Sequence, residues 1–484
     1  MINIKMIARI MGALFFIEAG FMLLCALLAY CNWEPDMSAF LVSAAITAGA
    51  GIASTLLSKN AEKRLNRRDG YVIVTLAWIT FSLFGMLPYY LSGYIPRITD
   101  AFFETMSGFT TTGSTILDDI ESLPHGLLFW RSLTQWIGGL GIVFFTIAVL
   151  PIFGVGSVQL FAAEATGPTH DKVHPRIGVM AKWIWTIYLG MTIVEVTLLY
   201  LGGMSMFDSI CHSLTTTATG GYSTKQASIA HFNSPYIEYV ITLFMFLSGI
   251  SFTLLFLVFL KGNFKRLLKD TEFHWYVGTV GCFTLFATAV LTFTSHSGLE
   301  EAFRKAVFQV ISLQTSTGFT SDDYMLWPPV LWTLMCIIMF CGACAGSTTG
   351  GIKCIRLAIM GRVVSNEFKH IIHPNAVLPV RINRQVISPG TKSTVLAFTF
   401  LYIAIVLIGW LVLMLFGIGF VEAYSIAISS LGNVGPGIGQ SGPAYSWSWM
   451  PDAAKWVSAL LMLIGRLELF TVLLLFTPGF WKKH

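Results

Sequence analysis

The sequence predicts an all-α membrane fold in which two N-terminal spans precede four span–pore-helix–span repeats around a pseudo-fourfold pore. Three observations predict it: the composition, a series of long apolar segments, and four short segments that each end in a loop rich in glycine and threonine. Of the 484 residues, 55% are hydrophobic and 11% are charged, whereas soluble globular domains carry about 25% charged residues. No long polar stretch remains for a separate soluble domain.

Ten apolar segments are long enough for a membrane helix, which needs about 20 residues. By residue number they run 7–30, 38–58, 71–92, 125–150, 182–203, 234–260, 273–295, 328–364, 394–418 and 453–477. The first is longer than the apolar core of a signal peptide, so we expect it to be retained. The predicted units are an N-terminal two-helix unit at 1–70 and pore repeats at 71–180, 181–270, 271–390 (with a broken second span) and 391–484.

Basic residues follow every even-numbered span, and this pattern predicts that both termini are cytoplasmic. The basic residues are Lys59, Lys63, Arg64, Arg67 and Arg68, then Lys172, Arg176 and Lys182, then Lys261, Lys265, Arg266 and Lys269, then Lys369, Arg381, Arg384 and Lys392, and finally Lys482 and Lys483. The opposite loops carry Asp118, Asp119, Glu121, Asp322 and Asp323. These acidic residues would concentrate cations at an outer mouth.

Four further apolar segments are too short to cross a hydrocarbon core of about 30 Å. They cover 98–107, 206–216, 299–314 and 419–431, and the loops that follow them cover 108–115, 216–224, 314–321 and 431–439. An alignment of these loops on one glycine pairs Gly113, Gly220, Gly318 and Gly435. The aligned positions recur about every 100 residues, which indicates an internal fourfold repeat.

These loops have the composition of a cation filter. Irregular backbone at membrane depth is tolerated only where it is buried in protein or faces a water-filled cavity. Backbone carbonyls can replace the water shell of a potassium ion, glycine tolerates the backbone angles that this requires, and threonine adds hydroxyls. Each loop alone is open to another interpretation, as a helix cap or packing contact, but four similar loops favour the filter. The predicted filter residues are Thr110, Thr111, Thr112, Gly113, Thr217, Ala218, Thr219, Gly220, Thr315, Ser316, Thr317, Gly318, Asn433, Val434 and Gly435.

The chain resembles a known family in these motifs. Segments 110–114, 217–224, 315–320 and 432–437 resemble the filters of the Trk/Ktr/HKT superfamily of potassium transporters. The two extra N-terminal spans and segments 340–353 and 465–471 are similar to the membrane subunits of bacterial Trk potassium uptake systems. In this family, glycine at the first filter position accompanies potassium selectivity and serine accompanies sodium transport; this chain has Gly113.

The resemblance implies a homodimer in the bacterial inner membrane, with one pore in each subunit. It also implies a cytoplasmic nucleotide-binding regulatory ring, TrkA-like, that controls gating, and a chain that transports potassium without a cofactor. Channel-like uptake down the electrochemical gradient is the expected mode, and symport with sodium or protons is the alternative. A membrane-embedded enzyme would need convergent ionisable residues, and the sequence offers isolated ones such as Glu195 and Arg466; we therefore expect no enzyme.

The eighth span is predicted to break near its middle. Glycines at 342, 346, 350 and 351 interrupt it, and each glycine in a helix interior costs about 1 kcal/mol. Close packing of small residues is the alternative explanation. The resemblance implies an intramembrane loop that blocks the pore from below. The gating candidates in this stretch are Gly346, Ser347, Thr348, Thr349, Gly350 and Lys353.

Arg466 is a further gating candidate, because it lies within the last apolar span. An uncompensated arginine at mid-membrane costs at least about 2.5 kcal/mol, so its side chain should face protein or water. A salt bridge to Glu468 is the structural alternative, although residues two apart on a helix do not face each other. The resemblance implies that Arg466 points into the pore cavity and opposes cation passage in the closed state.

Overall fold

Two long helices form a hairpin that precedes the repeats. The computed structural model describes residues 2–59, 65–141, 177–295 and 298–482. Helix α1 (Ile4–Cys31) packs along α2 (Met37–Leu57). A Cβ atom on Gly12 would stand 3.0 Å from the carbonyl oxygen of Gly51, so small residues bring the two backbones close together.

Each of the four repeats contains a first membrane helix, a short pore helix and a second helix. The first membrane helices are α3 (Arg67–Gly85) continued by α4 (Leu87–Leu91), α7 (Ile177–Leu201), α12 (Thr271–Ser295) and α16 (Pro389–Leu415). The pore helices are α5 (Ile98–Phe109), α8 (Met206–Thr217), α13 (Leu299–Gln314) and α17 (Phe420–Gly432). The second helices are α6 (His125–Gly139), α9 (Pro235–Ser248) with α10 (Phe252–Phe259), α14 (Pro329–Phe340) with α15 (Cys354–Ile372), and α18 (Asp452–Arg466) with α19 (Phe470–Leu473).

The remaining regular elements are short. They are the α-helices α11 (Phe264–Leu267) and α20 (Pro478–Trp481), the strands β1 (Arg381–Ile382) and β2 (Gln385–Val386), and the 3₁₀ helices Ser228–Phe232, Tyr324–Leu326, Gly439–Ser441 and Leu474–Phe476. The two strands pair antiparallel, with Arg381 opposite Val386. Asn383 and Arg384 both have positive φ at the turn, which is typical of a two-residue hairpin.

The pore helices establish the order of the repeats around one axis. Each packs against the second helix of the preceding repeat: α8 against α6, α13 against α9, α17 against α14, and α5 against α18. The contact between α5 and α18 closes the fourth repeat onto the first. The predicted all-α membrane fold with pseudo-fourfold repeats is therefore confirmed.

All four pore helices begin with an acidic residue in their first turn. These residues are Asp100 in α5, Asp208 in α8, Glu300 in α13 and Glu422 in α17. A carboxylate is favourable at a helix N-terminus, where the macrodipole is positive. The carbonyl ends of the same helices lead directly into the glycine-bearing loops, so the negative ends of the dipoles lie at the ring.

The second helices of the second, third and fourth repeats are interrupted, and this changes the predicted count of ten spans. Six described helices are long and apolar enough to cross a membrane, or eight if each bent pair is one span. Helices α9 and α10 meet at 106°, and the helices flanking 467–469 meet at 110°. The predicted span at 328–364 consists of α14, an irregular stretch at 341–353 and α15, because its glycines disfavour helix.

Part of the predicted topology falls outside the described residues. Helix α6 ends at Gly139, and residues 142–150 of the predicted span at 125–150 lie beyond the described range. The same holds for five residues of the predicted basic pattern. They are Lys63, Arg64, Lys172, Arg176 and Lys483.

Candidate functional site

The four loops that follow the pore helices share one backbone conformation. We call residues 110–113, 218–221, 315–318 and 432–435 the filter loops. A residue with left-handed φ, between 52° and 54°, occurs in each: Thr111, Thr219, Ser316 and Asn433. Two positions later a glycine has φ between 75° and 105°: Gly113, Gly221, Gly318 and Gly435. Glycine adopts such angles readily, so the recurring pattern identifies equivalent positions in the four loops.

The structure corrects the alignment of the second loop by one residue. The sequence alignment paired Gly220 with Gly113, whereas Gly221 has the matching φ and the matching partial exposure. Backbone hydrogen bonds give the same register. The amides of Thr112, Gly220, Thr317 and Val434 donate to the carbonyls of Ser107, Thr215, Ser312 and Ser429, at 2.8 to 2.9 Å. Gly220 is therefore equivalent to Thr112, and Gly221 joins the candidate site.

The filter loops form a closed ring in which each glycine meets a carbonyl of the next loop. A Cβ atom on Gly113 would overlap the carbonyl oxygen of Gly220. The same overlap would occur between Gly221 and the oxygen of Thr317, Gly318 and that of Val434, and Gly435 and that of Thr112. The absence of side chains at these four positions therefore allows four short pieces of backbone to surround one axis.

A buried ion pair supports the first two loops from behind. Arg131 on α6 donates through Nε to Glu104 Oε1 on α5 at 2.9 Å, and both side chains are almost fully buried. Glu104 also accepts from the Ile116 amide at 3.0 Å, and Arg131 Nη1 donates to the Ser223 carbonyl at 3.0 Å. The pair thus joins the chain segments that follow the first and second filter loops. The guanidinium carbon also lies 4.1 Å from the centre of the Tyr222 ring.

Gln135 holds the second loop directly. Its Nε2 donates to the Gly220 carbonyl at 2.7 Å, and its Oε1 accepts from the Tyr222 amide at 3.0 Å. The Tyr222 hydroxyl donates to the Glu104 carbonyl at 2.7 Å. A side chain from the first repeat therefore fixes both flanks of Gly221.

Several of the side chains predicted as potassium ligands form hydrogen bonds within the protein. The Thr110, Thr217 and Thr315 hydroxyls donate to carbonyls one turn back in their pore helices, at 2.6 to 2.8 Å. The Asn433 amide donates to Thr112 Oγ1 at 3.0 Å, and so joins the fourth loop to the first. The side chains of all these residues stabilise loop geometry, which leaves the backbone carbonyls as the oxygens common to all four loops.

The irregular stretch at 341–353, which we call the intramembrane loop, lies against the filter loops. Thr219 Oγ1 donates to Thr348 Oγ1 at 3.1 Å, and the Gly350 amide donates to Ser316 Oγ at 2.7 Å. A Cβ atom on Gly350 would overlap the carbonyl oxygen of Gly432. The intramembrane loop therefore contacts three filter loops. In the second and third it contacts the residue with left-handed φ, and in the fourth it contacts the residue before it.

The other predicted gating residues stabilise the intramembrane loop itself. Ser347 Oγ donates to the Cys344 carbonyl at 2.6 Å and lies 2.8 Å from Thr349 Oγ1. The buried Lys353 ammonium donates to the carbonyl and, at 3.3 Å, to the hydroxyl of Thr349. Gly346 accepts at its carbonyl from the Phe252 amide at 3.0 Å, which ties the loop to the bend between α9 and α10.

Arg466 connects the intramembrane loop to two second helices. It lies at the end of α18, and its Nη1 donates to the Thr348 carbonyl at 2.7 Å. Its Nη2 donates to the carbonyls of Gly139, at 2.9 Å, and Gly138 at the end of α6. Glu468 instead pairs with Arg356 on α15. The alternative salt bridge between Arg466 and Glu468 is therefore not the one that forms.

This combination defines a class of protein. A ring of glycine-bearing loops at the ends of four pore helices, surrounded by helices of membrane length, is the architecture of a multi-pass membrane protein that transports ions. The chain belongs to the family described as "TrkH: Cation transport protein", whose profile matches residues 36–483. The expected transporter class is thus confirmed.

Individual relatives resemble the chain over its full length. It is 37% identical over 485 residues to the Trk system potassium uptake protein TrkH of Escherichia coli K12, covering 99% of this chain and 100% of the relative. It is 37% identical to TrkI of Halomonas elongata, covering 99% and 97%. The crystal structure of the potassium transporter TrkH from Vibrio parahaemolyticus superposes with a TM-score of 0.89 at 34% identity, covering 99% of both chains.

Sequence reasoning missed four residues that the structure places at the site. Gly221 was hidden by its neighbour Gly220, since two adjacent glycines permit two registers. Glu104, Arg131 and Gln135 lie in helices assigned only as pore helix or span. Charged residues within apolar segments mark functional or buried pairs, so the positions of Glu104 and Arg131 in the sequence already carry a signal for this pair.

Proposed function

We propose that this chain takes up potassium ions across a bacterial inner membrane, through the ring of filter loops and down the electrochemical gradient. The observation that carries the proposal is the ring itself, in which four equivalent glycines each meet a carbonyl of the next loop. The choice of potassium is supported by the relatives, whose names describe potassium uptake. It is also supported by the glycine at position 113, which accompanies potassium selectivity in the family that the sequence resembles.

In this proposal the backbone carbonyls replace the water shell of the ion. A ring of carbonyl dipoles stabilises a dehydrated cation without a full negative charge that would hold it too tightly. The carbonyl ends of the four pore helices add a favourable potential for a cation. Gln135, Arg131 and Glu104 keep the loops in place, because their hydrogen bonds fix both sides of the second loop.

The closed state depends on the intramembrane loop and on Arg466. The loop contacts three filter loops, and the Arg466 guanidinium adds a positive charge beside Thr348. Both features would oppose a cation that leaves the filter toward the cytoplasm. A TrkA-like cytoplasmic nucleotide-binding ring would release this block, and the functional unit would be a homodimer with one pore per subunit.

Flux measurements in liposomes test the proposal. Purified protein is reconstituted, and uptake of potassium, rubidium and sodium is measured under an imposed voltage in the absence of any other ion gradient. We expect potassium and rubidium to enter and sodium to be largely excluded. Equal uptake of sodium would overturn the filter assignment. Uptake that requires a sodium or proton gradient would replace the channel mode with symport.

A further inference from the structure

The intramembrane loop has a narrow neck closed by backbone hydrogen bonds. The Gly342 amide donates to the Ile352 carbonyl at 2.6 Å, and the Cys354 amide donates to the Ala343 carbonyl at 2.9 Å. The Cys354 thiol also donates to the Gly342 carbonyl at 3.1 Å. The two strands of chain that enter and leave the loop therefore lie side by side.

One side chain from another helix bridges both sides of this neck. Glu272 lies in the first turn of α12, and its Oε1 accepts from the Ala345 amide at 2.6 Å and the Ile355 amide at 3.0 Å. Ala345 precedes the tip of the loop and Ile355 follows it. The Ile355 amide is also among the first donors of α15, which have no acceptor within their own helix. Glu272 is 8% exposed, so its carboxylate has little contact with solvent at the neck.

The β-hairpin formed by β1 and β2 in turn holds the start of α12. Asn383 at the hairpin turn accepts through Oδ1 from the Thr271 amide at 2.7 Å and donates through Nδ2 to Asp270 Oδ2 at 2.8 Å. Its own amide donates to the Thr271 hydroxyl at 3.3 Å. Asn383 thus fixes the two residues that immediately precede Glu272.

We propose that Glu272 is the positioning residue that holds the neck of the intramembrane loop closed, and that Asn383 sets the position of Glu272. Removal of the carboxylate would leave the part-buried Ala345 amide and the buried Ile355 amide without this acceptor, and opening of the neck would supply water to them. The open neck would thereby become more populated. The inference rests on the proposed role of the loop as the gate, and it links that gate to a hairpin that lies outside the membrane spans.

Native cysteines allow the neck to be observed separately from ion flux. Cys344 and Cys354 lie at the neck and are fully buried, and so are Cys25 and Cys211 in other parts of the chain. Full-length protein is treated with N-ethylmaleimide, and labelling of each cysteine is followed by peptide mass spectrometry. In Glu272→Ala we expect labelling of Cys344 and Cys354 to accelerate about tenfold, which corresponds to about 1.4 kcal/mol. Labelling of Cys25 and Cys211 should not change.

Conservative variants test whether Glu272 acts as the hydrogen-bond acceptor for both amides, apart from its charge and its length. Glu272→Gln keeps an oxygen that can accept both bonds and should label as wild type does. Glu272→Asp is too short to bridge both amides and should label like the alanine variant; it also carries the test if the alanine variant does not fold. Thr294→Val is the matched control, because the Thr294 hydroxyl donates to the Val290 carbonyl of the same helix.

The coupling to the hairpin is tested with a double-mutant cycle. Asn383→Ala should accelerate neck labelling, and the double variant with Glu272→Ala should label no faster than Glu272→Ala alone, because both changes act through the same contact. Gln385→Ala is the control on the same hairpin. Additive effects of the two substitutions would overturn the assigned role of Asn383.

Rubidium flux without any partner completes the experiment. Faster labelling with higher flux supports both the role of Glu272 and the gate. Faster labelling with unchanged flux supports the role of Glu272 and overturns the gate. Unchanged labelling in both the alanine and aspartate variants, or glutamine labelling as fast as alanine, overturns the inference about Glu272.

Discussion

The carbonyl oxygen of Gly220 occupies the space that a Cβ atom on Gly113 would need. These residues belong to different repeats, so the first filter loop can keep its conformation only while the second presents its backbone at this point. Any side chain at position 113 would therefore collide with the second filter loop. The conformation of the first loop alone does not reveal this steric limit.

Gly113→Ser should weaken discrimination between potassium and sodium while the protein still folds. A serine side chain must displace the Gly220 carbonyl, and φ at this position is 85°. We expect the flux ratio of potassium to sodium to fall about tenfold, or about 1.4 kcal/mol. Gly93→Ser is the matched control, since Gly93 has φ of 79° and open space around it. Unchanged selectivity in Gly113→Ser would remove Gly113 from the filter.

Deletion of residues 346–350 should raise basal flux in the absence of a partner ring. The deletion removes Thr348 and Gly350, which contact the second, third and fourth filter loops. The measurement is rubidium uptake by liposomes, with thermal melting to establish that the variant folds. A folded variant with wild-type or lower flux would show that the segment serves packing and is not a gate.

Arg466→Ala should increase flux and leave selectivity intact. At about 5 Å and an effective dielectric near 20, a unit charge raises the energy of a passing cation by about 3 kcal/mol, before screening by cavity water. Removal of about 1.4 kcal/mol of that barrier would raise passage tenfold if this barrier limits the rate. The substitution also removes the donors to Thr348 and Gly139. Lower flux together with a large drop in melting temperature would instead assign Arg466 a structural role.

Arg131→Met should destabilise the protein by about 3–5 kcal/mol, because it leaves the buried Glu104 carboxylate without its charged partner. It should also reduce selectivity, since Arg131 holds the Ser223 carbonyl beside the second filter loop. Arg304→Met is a suitable control: its partners Glu238 and Glu300 form a more exposed cluster, which should cost less. Equal melting temperatures for the two variants would contradict the importance assigned to the buried pair.

Asp36 should make stability depend on pH. It lies between α1 and α2, outside the spans, where burial and the neighbouring Glu34 raise its pKa to about 6; the opposing contribution of His125, which contacts Glu34 at 2.6 Å, is smaller. The folded protein then binds a proton that the unfolded chain releases between about pH 4 and 6, so stability falls as pH rises through that window. The melting temperature should be higher at pH 5 than at pH 7. Asp36→Asn should flatten this dependence, and an unchanged slope would contradict the prediction.

The ring was predictable because its signals are local. Short apolar segments followed by glycine recur four times, and membrane physics leaves irregular backbone few places to lie. The register of the second loop was not predictable, since Gly220 and Gly221 are adjacent, and only the folded chain shows the φ of Gly221 and the bond from the Gly220 amide to the Thr215 carbonyl that distinguish them. The salt-bridge partner of Glu468 was also not predictable from the sequence. Arg356 is distant in sequence and is brought close to Glu468 by the break in the third repeat.

The interruptions of the second helices have a consequence for how the molecule can move. The end of α6 at Gly139, the bend at Gly249 and the bend beside Gly465 each adjoin the end of a pore helix or the loop after it, and the intramembrane loop of the third repeat contacts three filter loops. In the second, third and fourth repeats, a bend or the intramembrane loop therefore separates the half of the second helix beside the pore helices from the half beyond it. If the halves beyond the bends rearrange, the pore helices and the filter loops can keep their mutual contacts, so the proposed selectivity for potassium should be the same in a closed and in an open state.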